Sequence, residues 1–182
     1  MTYDFEKARR LSRIMSAVTG LGGLAIAAAG LGFAAIAAFD PEWFGQIVSR
    51  QIAEGLPIAL TPAASAVVLA LTSIQFAILS TALYCLWRMF NAFASDEPLS
   101  ARSAVWMRRA GGAFFFSAAS GLVIRTGVIA ALTIGNPPGQ QMIAISVGSP
   151  DLLAVLMAGV LLMVGHILAT AAEIQDDNRA FV

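Results

Sequence analysis

The chain has 182 residues, 58% of them hydrophobic and only 12% charged, and its formal net charge is zero. A soluble domain has roughly a quarter of its residues charged, so this composition and a mean hydropathy of +0.78 exclude an ordinary soluble fold and point to an integral membrane protein. The neutral balance gives no reason to expect a polyanionic partner, the single cysteine Cys85 excludes an internal disulfide, and the single histidine His166 cannot build a multi-histidine metal site.

The N-terminal arm TYDFEKARRLSR places Lys7, Arg9, Arg10 and Arg13 directly before an uncharged run from Ile14 to Phe39. That run is longer than the ~20 residues a helix needs to cross the hydrocarbon core. Ala35, Ile36 and Ala37 form an A-x-A sequence near its end, but the apolar stretch far exceeds the ~7–15 residues of a signal-peptide core, so it is expected to be a retained first span over 14–39. Gly23, Ala27, Gly30, Ala34 and Ala38 recur every three or four residues, a stripe that lets a second helix approach closely.

The segment from Asp40 to Pro62 contains Asp40, Glu42, Arg50 and Glu54 and is broken by Gly55, Pro57 and Pro62. Phe44, Val48 and Ile52 repeat at intervals of four, with Trp43 and Ile47 beside them. Two readings stand here: a short amphipathic helix lying in the outer interface, or a plain loop anchored by its tryptophan. The second span is expected over 63–86, with Ser73, Ala77 and Thr81 as a small-residue face and Gln75 as a polar group near mid-membrane.

The third span is expected over 110–134 and holds Arg125, the one charge deep in a span. A central arginine costs ~3 kcal/mol on insertion scales, so it needs a partner, water or a path to the surface. Ala113, Ser117, Gly121 and Arg125 are spaced by fours, which puts the arginine on a face suited to helix packing. Arg125 and Gln75 come out at similar depth, and Asp151, at the start of a fourth span over 151–172, is the nearest carboxylate in a neighbouring span. These three residues form the candidate intramembrane polar site. Snorkelling of Arg125 to the surface is the plainer alternative. Near the other end of the fourth span, His166 shares a helical face with Thr170 and Glu173.

Between the second and third spans lies RMFNAFASDEPLSARSAVWMRRAG, from Arg88 to Gly111, the only strongly polar stretch between apolar blocks. Pro98 stops the preceding helix and Ser100 can cap the next. Trp106 falls at headgroup level, where Arg102, Arg108 and Arg109 can meet anionic lipid. Four basic residues in the arm, four in this connector (Arg88, Arg102, Arg108, Arg109) and one in the tail stand against Arg50 alone in the other two connectors. The positive-inside rule then places both termini and this connector in the cytoplasm. The expected fold is all-α: residues 1–182 form a single membrane domain, a four-span transmembrane helical bundle with both termini in.

The same connector resembles the signature connector of the bacterial membrane family called domain of unknown function 2975. The matching positions are Phe93, Asp96, Glu97, Leu99, Ser100, Arg108, Arg109 and Gly111, while Ser95 stands where a glycine is common. The tail ILATAAEIQDDNRAFV is similar to that family's ending. The resemblance implies a small four-helix protein of the bacterial inner membrane, paired with a helix-turn-helix regulator.

The residue patterns of acid-base or nucleophilic catalysis and of phosphate-binding loops are missing, so no enzymatic activity and no cofactor are expected. The basic residues are accounted for by topology, so no nucleic-acid partner is expected either. The expected partners are the lipid bilayer and a protein bound through the candidate cytoplasmic surface of Asp96, Glu97, Arg102, Arg108, Arg109, His166 and Glu173. An accessory role in a larger membrane complex and a small transporter or channel are the alternatives.

Overall fold

The computed structural model describes residues 2–51, 61–95, 101–137 and 148–180, and every element in them is helical. The helices are α1 (Thr2–Phe39), α2 (Pro41–Gln51), α3 (Pro62–Ser95), α4 (Ala101–Thr133) and α5 (Ser149–Ala180). All but α2 are long and apolar enough to cross a membrane, which makes this a multi-pass membrane protein. Two helices begin with the same device. Asp40 Oδ1 accepts the Trp43 N–H at 3.0 Å and Thr61 Oγ1 accepts the Ala64 N–H at 3.2 Å. In each case a proline follows the cap, where its missing N–H costs nothing.

The ends of the four long helices differ on the two sides of the layer. On the α2 side the helices stop where the apolar sequence stops, at Phe39, Pro62, Thr133 and Ser149. On the side of the α3–α4 connector they run on through Thr2–Arg13, Trp87–Ser95, Ala101–Arg109 and Glu173–Ala180. These extensions are two to three turns, roughly 12–18 Å at 1.5 Å per residue. Most of the 88–111 connector is therefore helix, α3 running to Ser95 and α4 starting at Ala101, in keeping with a preceding helix that ends before Pro98 and a next one that starts after Ser100. Pro98 and Ser100 lie outside the described residues.

Of the two readings of this segment the short helix is the one present, and it contributes to the core. Phe44 and Val48 of α2 are 2% and 0% exposed and cluster with Val68, Val128 and Leu132. The Phe44 ring meets Phe33 of α1 at 5.2 Å between centroids. Trp43, one residue over, stays half exposed, and Ile52 lies outside the described residues.

The long helices pack in chain order: α1 on α3, α3 on α4, α4 on α5, while α2 packs on α1. Among the described residues no other pair of helix backbones comes close, so the bundle is an open layer with α1 and α5 at its edges. Small residues make the three seams. On α1, a Cβ at Gly30 would sit 3.1 Å from Phe76 of α3, and one at Gly23 would touch Leu83. On α4, Ser117 is buried and Gly121 faces Gln75, in keeping with the Ala113–Arg125 stripe. The Ser73–Ala77–Thr81 face of α3 does the opposite and points out of the chain, with Thr81 bonding back to the Ala77 carbonyl at 2.8 Å. Periodicity marks a face that can be approached closely, but neighbours engage other faces of α3, through Phe76 and Leu83 for α1 and Gln75 for α4.

The tightest seam is α4–α5. A Cβ on Gly111 would lie 2.5 Å from the backbone nitrogen of Leu162, and a Cβ on Gly165 would lie 2.8 Å from that of Arg108. Each glycine thus lets the backbone of the other helix into the space its own side chain would fill. Gly111→Ala or Gly165→Ala is expected to force the helices apart and cost about 1–3 kcal/mol, read as a lowered unfolding midpoint in detergent. Gly159, with nothing within 4 Å of its Cβ position, should accept alanine with little change.

Candidate functional site

Arginines and aromatic rings converge where α3 and α4 leave the apolar segment. On α3, Tyr84, Trp87, Arg88 and Asn91 share one face by the i, i+3, i+4, i+7 rule; on α4, Arg102, Trp106 and Arg109 do the same. Antiparallel packing brings the faces together. The Arg88 guanidinium lies over the Trp106 ring at 4.9 Å and that of Arg109 lies over it at 5.0 Å. Tyr84 meets the edge of Trp106 at 6.5 Å and the ring of Trp87 at 5.9 Å. A cation over an aromatic face gains roughly 0.5–1 kcal/mol when exposed and more when desolvated, so one tryptophan holds two like charges in fixed positions.

Beside it is a cavity of about 320 Å³ lined by Trp87, Arg88, Asn91, Ala92, Arg102 and Trp106. Asn91 ties this region to α1, accepting the Ser16 hydroxyl at 3.0 Å. Sequence reading singled out Arg102 and Arg109 but missed Tyr84, Trp87 and Asn91. Their spacing on one face of α3 was the available signal.

The remaining surface residues divide. Arg108 is exposed, and its backbone lies against Gly165, which puts it at the level of His166 on the α4–α5 seam. His166 is exposed, and its carbonyl accepts the Thr170 hydroxyl at 3.3 Å. Asp96, Glu97 and the side chain of Glu173 lie outside the described residues.

The intramembrane candidates are only partly brought together. Gln75 and Asp151 line one groove of about 560 Å³ between α3 and α5, floored by Phe114, Ser117, Ala118 and Gly121 of α4. Arg125, half buried and one turn beyond Gly121, is not among its lining residues. Gln75 Nε2 donates to the Ser117 carbonyl at 3.2 Å and its Oε1 accepts from Ser120 at 3.4 Å. The Asp151 carboxylate accepts the Gly148 N–H at 2.9 Å and so closes the first turn of α5. Both groups thus have structural work, and no set of three or more metal-ligating side chains occurs among the described residues. Interhelical hydrogen bonds in membranes average ~0.6 kcal/mol, so Gln75→Leu should cost about 1 kcal/mol or less, measured by reversible unfolding in bicelles.

Residues 48–182 match the model of a family described as "Protein of unknown function (DUF2975)". The match takes in the end of α2 and all of α3, α4 and α5. No curated protein and no solved structure matches the chain.

Proposed function

The chain belongs to the DUF2975 family, and from that premise we propose that it is a non-enzymatic membrane protein whose connector-side helix ends dock a soluble protein partner. In this reading it sits in a bacterial inner membrane with both termini and the α3–α4 connector in the cytoplasm, as the arginine distribution directs. The observation that carries the reading is the asymmetry of the helix ends. Four helices that need ~20 residues to cross the membrane continue for two to three turns on one side only, and the extensions of α1, α4 and α5 are strongly charged. That gives the connector side a charged helical platform held at the α4–α5 seam by Gly111 and Gly165 and at the α1–α3 seam by the Ser16–Asn91 hydrogen bond. The family resemblance suggests the partner: a helix-turn-helix regulator held at, or released from, the membrane.

A second reading, an accessory subunit of a larger membrane complex, draws on the outward-facing Ser73–Ala77–Thr81 stripe and on the exposed apolar faces of α1 and α5. A flux pathway has less behind it, since Gln75 and Asp151 already bond within the fold and Arg125 lies off the groove they share.

The docking reading is tested on the full chain expressed with its own neighbouring genes and screened for co-purification of a helix-turn-helix protein. Neutralising Asp96, Glu97 and Arg108 together (Asp96→Asn, Glu97→Gln, Arg108→Gln) should weaken co-purification by tenfold or more, since charged contacts at an interface cost ~2–5 kcal/mol when one partner is truncated. Unchanged recovery of the regulator would count against a charged docking platform.

A further inference from the structure

We propose that the arginine-lined cavity and the apolar groove beside it form one site for an anionic phospholipid, its phosphate held by Arg88 and Arg102 and an acyl chain seated between α1 and α3. The groove, about 440 Å³, is lined by Gly20, Gly23 and Ala27 of α1 and by Leu83, Tyr84 and Trp87 of α3, among others. Trp87 is a wall of both spaces, so the polar cavity and the apolar groove adjoin at its ring. From Gly20 to Ala27 the groove follows α1 for about 11 Å at 1.5 Å per residue, most of the ~15 Å depth of one leaflet. Gly20 and Gly23 line it where α1 comes closest to Trp87 and Leu83. A Cβ at Gly20 would already press on the Trp87 ring at 3.3 Å, so glycine there lets that ring lie against α1 at the junction.

The chemistry of the cavity selects the headgroup. Tyr84, Trp87 and Trp106 mark headgroup level, where aromatic rings with one polar edge are most stable. The Arg88 guanidinium lies over the Trp106 ring at 4.9 Å and also lines the cavity, and its planar fork of N–H donors matches the oxygens of a phosphate. Arg102 lines the same cavity from α4. Among the described residues, no carboxylate lines the cavity to attract the ammonium of a zwitterionic headgroup. A soluble phosphate would satisfy the arginines but make no use of the apolar groove, and that difference commits the site to a lipid.

The test is native mass spectrometry of the full chain in mild detergent, titrated with phosphatidylglycerol and phosphatidylcholine of equal chain length. Wild type should retain phosphatidylglycerol at least tenfold better. An arginine at a charged surface contributes ~1 kcal/mol, about fivefold in affinity, so Arg88→Gln with Arg102→Gln should abolish most of that preference while Arg88→Lys with Arg102→Lys keeps it. Ala27→Leu, which fills the groove, should weaken retention of both lipids and leave the preference intact. Glycerol phosphate, which has no chains, should not compete. Equal retention of the two lipids by wild type overturns the proposal without needing any variant. A preference that survives the double glutamine change, retention indifferent to Ala27→Leu, or competition by glycerol phosphate as strong as by phosphatidylglycerol would each overturn it as well.

Discussion

The backbones of α4 and α5 meet at Gly111 and Gly165, and much of the connector side depends on that contact. In a bilayer, lipid solvates a helix face about as well as another helix does, so apolar burial alone does not choose a partner; close backbone approach and interhelical hydrogen bonds do. Here each glycine admits the other helix's backbone, one against Leu162 and the other against Arg108. The contact therefore fixes more than a pair of spans. It sets the height and rotation of the α4 segment that carries Arg102, Trp106, Arg108 and Arg109, and through Trp106 it sets where Arg88 of α3 comes to rest. Gly111, at the end of the connector, thereby has a steric reason.

From that seam the chain builds outward by one neighbour at a time. Gln75 joins α3 to α4 through Ser117 and Ser120, Gly23 and Gly30 seat α1 on α3, and Ser16 reaches Asn91 at the connector end. The α2 side is closed by packing, with Phe44 and Val48 filling the junction of α1, α3 and α4. One end of the layer is thus plugged and apolar while the other is extended and charged. The proposed docking of a protein partner and the proposed lipid site both rest on this polarity.

Most of the architecture was legible in the sequence because hydrophobic run length is a strong local signal. The four spans and the importance of the 88–111 stretch follow from where charges and breakers fall, while the 40–62 segment left a short helix and a plain loop both open. What was not legible depended on rotation. Ser73, Ala77 and Thr81 formed as good a packing stripe as Ala113, Ser117 and Gly121, yet only the latter meets a neighbour, because nothing in one helix's periodicity says where the next helix stands. Gln75 and Asp151 share a groove, while Arg125, on the same face of α4 as Ser117 and Gly121 but one turn further along, is not among its lining residues. The double stacking on Trp106 was missed since it requires two helices in register, although Tyr84, Trp87 and Arg88 already shared a face.

The open, chain-order layer underlies every one of these relations, and one distance decides it. Spin labels at Ala28 on α1 and Val160 on α5, in a Cys85→Ser background reconstituted at low density in nanodiscs, report the separation of the two edge helices by pulsed electron resonance. Three successive helix contacts at 8–10 Å each place them about 25–30 Å apart. A distance near a single interhelical spacing, about 10 Å between axes, would mean that α1 closes on α5 and would contradict the layer.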